Sequence, residues 1–376
     1  MSRDAPRSSP PAGEPETGAP VADRAVAGAG TDAPDPRVER FNTAMEMPSV
    51  NVVRMFLRAC FPAVSIQRFV GGICEAPDFP EFSIRSLLAI LPSIGADVQA
   101  ASFNFEDLGE IPIPFLCRMK TSAGTGEFVL VRSIAGGRAQ IVGPNGARSL
   151  TRSEMAAKWT GIVLFADVEP DPTCANAELE AYRKRVIILP NVLTREQCAE
   201  IVALAEEQGF RRSRIKAGRE EEGTVSLRLR SSSSTLLRQR HPVLQRLYET
   251  CAAREGADLA DLEWVQCVRY KPGQKFNPHF DGGNGMPRRA TWLVYLNDGF
   301  AGGGTGFPEL DLVVKPETGA ALRFDNCDAR GRVLWPSKHS GMPLGSGIKY
   351  ALNLWVRLPG LRGAAQPSAL LGPAEA

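Results

Sequence analysis

The chain has 376 residues, 43% of them hydrophobic, a formal charge of +2 at pH 7 and eight cysteines. That length can fill the cores of two ordinary domains, and the near-neutral balance lacks the basic field of a nucleic-acid binder. No apolar run of eighteen residues, no export signal and no Cys-x-x-Cys occur, so a soluble cytoplasmic protein with reduced thiols and no membrane partner is expected.

Residues 1–43 are rich in Pro, Gly, Ala, Asp and Arg and hold almost no large apolar side chain. Such a segment cannot bury enough surface to offset its chain entropy and is predicted to be disordered. A first domain follows over 44–170. Residues 52–60 read as a helix, and Ser83 is an N-cap for an apolar-periodic helix over 83–91. Residues 127–134 and 139–142 alternate as strands do, and a Pro144-Asn145-Gly146 turn follows. A helix over 153–159 ends at Gly161, before a strand at 162–165. The polar stretch near 169–176 places a linker at 171–184.

The second domain, 185–361, opens on a strand at 186–189. Thr194 and Gln197 form a capping box for a helix over 195–208, which Gly209 stops. From Trp264 onward short strands take over, at 263–270, 290–296, 320–324 and 349–358, separated by turns such as Lys271-Pro272-Gly273 and Gly302-Gly303-Gly304. Helices first and many short strands after predict a jelly roll with flanking helices. Residues 362–376 are expected to be a flexible tail.

Only three histidines occur, and two of them sit in suggestive places. In an extended strand His279 and Asp281 point the same way while Phe280 points oppositely, which suits two ligands of one ion. His339 follows in WPSKHSG, and Lys349 ten residues later. Two imidazoles and one carboxylate on one face of a metal form the set that non-haem Fe(II) oxygenases use, leaving positions open. Alternation also places Lys349, Ala351, Asn353 and Trp355 on one face of the last strand. A lysine facing a barrel core is costly without an anionic partner.

From about 185 to 360 the chain resembles the prolyl 4-hydroxylase branch of the Fe(II)/2-oxoglutarate dioxygenases. The matching pieces are Glu263-x-x-Gln-x-x-Arg-Tyr-x-Pro-Gly-Gln274 leading to His279-x-Asp281, then Ala290 to Asp298, Gly303 to Pro308, Val314 to Phe324, and His339 with Lys349. Arg228 and Ser231 fall where that family carries an Arg-x-Ser segment. The resemblance implies a double-stranded β-helix and Fe(II) held by His279, Asp281 and His339. It further implies 2-oxoglutarate and O2 as cosubstrates, with ascorbate as a candidate reductant. Lys349 would pair with the far carboxylate of 2-oxoglutarate, and Tyr270 and Thr291 would donate hydroxyl hydrogen bonds to it. Trp355, Phe276 and Arg228 would face the substrate. Phe276 stands where many prolyl hydroxylases carry a tyrosine, which leaves the hydroxylated residue open.

Residues 83–170 resemble, more loosely, the papain-like leader-peptidase domain of bacteriocin-exporting ABC transporters. The match runs through Ser83 to Leu88, Leu108 to Pro114, Glu127 to Val131, Ile141 to Pro144 and Lys158 to Gly161. Glu127 and Gly143 occupy the places of that family's histidine and aspartate, and no histidine precedes residue 241. A thiolate without an imidazole base is a poor nucleophile, so Cys60 and Cys74 are expected to be buried apolar residues in a degenerate domain. The expected fold class is therefore α+β, a small papain-like domain before the jelly roll. Three functions stay open: hydroxylation of a peptidyl residue, proline favoured, with residues 44–170 docking the peptide; the same chemistry on a small metabolite; or peptide binding without catalysis.

Overall fold

The computed structural model describes residues 35–122, 125–167, 175–214, 229–283 and 286–359. Three helices come first, α1 (Pro36–Glu46), α2 (Pro48–Cys60) and α3 (Ile66–Glu75). Prolines start α1 and α2, where their missing N–H costs nothing, and the Asp35 side chain accepts from Arg37 N. Helix α1 corrects the expectation of disorder up to residue 43. Its few apolar residues, Phe41, Ala44 and Met45, fall on one face and are buried, so a short stripe suffices to anchor it. Residues 1–34 lie outside the described residues, as does the tail from 360.

Helix α4 (Ile84–Ile90) is capped by Ser83 as the sequence predicts. Strands β1 (Gln99–Ser102), β2 (Phe115–Lys120), β3 (Gly126–Ala135), β4 (Arg138–Gly143), β5 (Gly146–Thr151) and β6 (Trp159–Phe165) form an antiparallel sheet in the order β1-β6-β2-β3-β4-β5, with α5 (Arg152–Lys158) before the last strand. Alternation divides its two faces. Leu116, Phe128, Leu130 and Leu164 pack with α1–α3, whereas Cys117, Val129, Val131 and Val163 pack with Leu108 and Met155 on the other side.

Helix α6 (Ala177–Arg183) lies inside the stretch expected to be a linker. It is held there by packing and hydrogen bonds: Tyr182 is buried and donates to Asp325 O, and Glu178 accepts from Ser65 and from Trp335 Nε1.

The second half begins with β7 (Ile187–Leu189), α7 (Arg195–Gln208), β8 (Arg211–Arg212), β9 (Ser233–Leu236) and α8 (Pro242–Glu255). Then come β10 (Gln266–Tyr270), β11 (Phe276–His279), β12 (Arg288–Tyr295), β13 (Ala301–Gly302), β14 (Thr305–Phe307), β15 (Leu312–Val314), β16 (Ala321–Asp325), β17 (His339–Gly341), β18 (Leu344–Ser346) and β19 (Lys349–Arg357). The larger sheet runs β7-β16-β12-β19-β10-β9-β8, and the smaller runs β11-β17-β14-β15. This is the expected jelly roll. The capping box of Thr194 and Gln197 forms, and Gly209 (φ 80°) ends α7. The outer face of the larger sheet packs Trp292, Leu352 and Leu354 on α7 and α8. Between the sheets lie Tyr270, Tyr295, Phe307, Phe324 and Ala351.

The two halves share a core rather than a tether. Val333 and Trp335, from the loop that precedes β17, are buried in the same cluster as α1–α3. Asn42 clamps that loop: its Nδ2 donates to Gly331 O at 3.0 Å and its Oδ1 accepts from Val333 N at 2.8 Å. Arg54 and Arg58 both reach Glu309, at 3.0 and 2.7 Å.

Candidate metal centre and cosubstrate cavity

Strand register assembles the site. His279 and His339 are directly opposed partners of the antiparallel β11–β17 pair, which brings their Cβ atoms to about 5 Å. Asp281 comes from the turn that leaves β11. Its Oδ1 is 3.5 Å from His279 Nε2, and its Oδ2 is 3.6 Å from His339 Nε2. One donor atom from each residue falls within 4.8 Å of the other two, so all three can share an ion.

Both imidazoles are oriented by backbone. His279 Nδ1 lies 2.9 Å from Asn277 O, and His339 Nδ1 lies 2.9 Å from Ser337 O. A carbonyl can only accept, so each Nδ1 carries a proton and Nε2 is the nitrogen turned toward the centre. Burial, helped by the neighbouring His279, pushes the His339 imidazole down to about 4, so it is neutral at ordinary pH. Burial pushes the Asp281 carboxyl up, but His339, His279 and Arg288 outweigh it and hold it well below the usual carboxylate range. Neutral imidazoles and an ionised carboxylate are the donor set ferrous iron prefers.

The surroundings fix those ligands. Thr291 Oγ1 donates to Asp281 Oδ2 at 2.9 Å, and Trp355 Nε1 donates to the same oxygen at 3.0 Å. Asn326 Nδ2 in turn donates to Thr291 Oγ1 at 2.8 Å. Phe276 stacks on the His279 ring with centroids 3.5 Å apart. Thr291, expected to reach 2-oxoglutarate, donates its hydroxyl in this structure to the Asp281 carboxylate. Thr291→Val should therefore weaken Fe(II) binding by about tenfold, the range seen for outer partners of metal ligands. The Michaelis constant for 2-oxoglutarate should hardly move; the opposite pattern would restore the original assignment.

Deeper in the roll, Lys349 and Tyr270 are opposed partners on β19 and β10. A cavity of about 50 Å³ joins them to the triad, lined also by Thr305, Leu293 and Gly341. Lys349 is 3% exposed. Its Nζ donates to Gly303 O at 2.5 Å, and among the described residues it has no carboxylate partner. Burial alone lowers its ammonium to about 8. The expected face of β19 holds, since Lys349, Ala351, Asn353 and Trp355 all line this cavity while Leu352 and Leu354 enter the outer core. Gly341 lies close to this cavity: a Cβ there would sit 3.2 Å from Tyr270 Oη, a tight contact.

Outside the triad a cleft of about 1000 Å³ opens to solvent, lined by Phe276, Phe280, Trp355, Arg230 and Lys338 together with Glu46 and Asn51 of α1 and α2. Arg228 lies outside the described residues. Arg230, which sequence reasoning missed, is buried instead. It donates from Nε to Ser232 Oγ at 2.9 Å and from Nη2 to Gln266 Oε1 at 3.1 Å, and its guanidinium stands 4.7 Å from the Phe276 ring. The Arg-x-Ser spacing was the available signal, because Arg230 and Ser232 satisfy it and Arg228 with Ser231 do not.

In the first domain, Cys60 and Cys74 are buried and their thiols are pushed up to about 11 by burial. Glu127, in the place of the peptidase histidine, pairs with Arg148 at 2.8 Å.

The triad is a donor set that an oxygenase-type iron site would use. Residues 265–357 match the 2OG-Fe(II) oxygenase superfamily and residues 77–171 match the Peptidase C39 family. The C-terminal half is thus similar to 2OG-Fe(II) oxygenases, and the segment before it is similar to the Peptidase C39 family. A prolyl 4-hydroxylase homologue of Acanthamoeba polyphaga mimivirus is 29% identical over 204 residues, spanning 51% of this chain and 81% of that protein. The human prolyl 4-hydroxylase subunit alpha-1 is 33% identical over 145 residues, which is 35% of this chain but only 27% of the subunit. Among solved structures, the viral collagen prolyl hydroxylase of Paramecium Bursaria Chlorella virus-1 in its 2OG complex is similar at 26% identity. It covers 46% of this chain and 96% of that one, with a TM-score of 0.38.

Proposed function

We propose that the protein hydroxylates a C–H bond of a peptidyl residue, proline being favoured, and releases succinate and CO2. The observation that carries this reading is that the triad shares one cavity with a buried ammonium that has no carboxylate partner among the described residues. His279, Asp281 and His339 would hold Fe(II), which supplies oxidative chemistry with dioxygen and the keto acid. Lys349 would anchor the distal carboxylate of 2-oxoglutarate, with the Tyr270 hydroxyl beside it. Phe276, Phe307 and Phe324 around the histidines exclude water, and the cleft orients the peptide above the metal. Ascorbate as reductant belongs to the same reading.

On this reading the N-terminal domain, 44–170, followed by the connecting segment 171–184, helps dock the peptide before the 185–361 dioxygenase domain. The support is that Glu46 and Asn51 stand on the cleft wall itself. A cytoplasmic location fits the seven described cysteines, which are free and buried. No described helix is long and apolar enough to cross a membrane.

The direct test is succinate release from purified protein with Fe(II), 2-oxoglutarate and proline-containing peptides. Peptide binding without any succinate would favour the non-catalytic alternative, and turnover of free amino acids alone the metabolite one. A pH profile tests the anchor separately. Binding needs the ammonium form, whose pKa burial lowers to about 8. Affinity for 2-oxoglutarate should hold below about pH 8 and then fall toward tenfold per unit. A flat affinity from pH 7 to 10 would contradict the anchor.

A further inference from the structure

The outer cleft carries more positive charge than the chain as a whole. Arg211 and Arg212 of β8 and Arg238 just after β9 line it, and all three are exposed. Among the described residues none of them has a carboxylate partner; Arg212 donates to Ser231 O at 2.9 Å. Other arginines of this half are paired with carboxylates, among them Arg269 with Glu206, Arg289 and Arg323 with Glu255, and Arg332 with Asp328.

Among the described residues, the cleft's own carboxylates do not offset this charge. Glu263 is held by Arg288 at 2.8 Å and by Arg357 at 3.3 Å. Asp281 belongs to the triad, and Glu46 faces Lys338 on the far wall. A formal charge of +2 for the whole chain therefore hides a locally cationic wall, an arrangement that selects an anionic partner and speeds its encounter.

We propose that this wall recognises acidic side chains flanking the target residue, so that the substrate is an acidic peptide. The inference rests on the peptidyl reading above. A peptide fits better than a nucleic acid, because the exposed, unpaired arginines occupy one wall only, while Lys338 on the other is set against Glu46. The floor near the metal is apolar, and the opposite wall carries Glu46, which would repel a continuous phosphate backbone.

The test uses full-length protein loaded with Fe(II) and 2-oxoglutarate without oxygen. Three labelled peptides share a central Ala-Pro and differ only in flanking Glu, Ser or Lys residues. The glutamate peptide should bind at least ~10-fold tighter than the lysine peptide, with the serine peptide between, and the advantage should shrink at 0.5 M salt. R211E/R238E should erase or reverse that order, its fold being checked by the thermal shift that Fe(II) and 2-oxoglutarate induce. Equal affinities, no binding by any peptide, or a preference that survives the double variant would overturn the proposal. So would a single-stranded oligonucleotide that binds more tightly than the glutamate peptide. Binding is read apart from turnover, so failure of succinate release in the wild type would count against the dioxygenase reading alone.

Discussion

His279→Ala should leave a folded protein that no longer holds Fe(II) tightly. The triad supplies three donor atoms, and removing one leaves Asp281 and His339 with a site that cannot surround the ion. Loss of a mere outer partner of a ligand costs about 10–100-fold in metal affinity, so loss of a ligand should cost at least ~100-fold. Succinate formation should fall at least in proportion. His279 is only partly buried, and its ring stacks on Phe276 rather than filling the inner core, so the metal-free variant should melt close to the wild type. The stabilisation that metal binding confers should disappear. Metal content and the metal-dependent shift in Tm are the measurements, and an unchanged iron stoichiometry would remove His279 from the ligand set.

Lys349→Met should act in the opposite direction on stability and on cosubstrate. The ammonium is buried, donates to a single carbonyl and has no counter-ion among the described residues. Burying a charge in that state is unfavourable, and a methionine of similar volume removes the penalty. The metal-free variant should therefore be as stable as the wild type or more so. The sign agrees with linkage. The lysine's folded pKa, about 8, lies below its unfolded value near ~10.4, so its unfavourable contribution is largest below pH 8 and fades as pH rises between the two. Binding of 2-oxoglutarate loses the ion pair, about 3 kcal/mol for a desolvated pair, or ~100-fold in affinity. Iron affinity should be nearly unchanged, since Lys349 touches no ligand. A variant less stable than wild type with an unaltered Michaelis constant would show that Lys349 only packs the core.

Other parts of the site depend on partners that local patterns do not display. Thr291 and Trp355 were placed on the right strands, and Thr291 and Trp355 are opposed in register on β12 and β19. That both donate to one oxygen of Asp281 follows from how β11 is turned over the larger sheet. The boundary errors have a similar origin. Helices α1 and α6 carry too few apolar residues to signal themselves, yet Phe41 is buried where the N-terminal helices meet the barrel loop, and Tyr182 is buried in the cluster between the two barrel sheets. Arg230 was readable from its spacing to Ser232 and was passed over for its neighbour two residues earlier.

Residue type and period settled which side chains could make an iron site: His279 and Asp281 two apart, His339 later, and a lysine on the inward face of the last strand. Those are local matters, because strand alternation assigns faces without knowledge of any partner. Cross-strand register and the shared core decided the rest. It is antiparallel pairing that opposes His279 to His339 and Tyr270 to Lys349, and packing of α1–α3 on the loop before β17 that sets Glu46 on the cleft wall. Contacts so distant in the chain are chosen by the total burial of both halves, and no short window of sequence carries that sum.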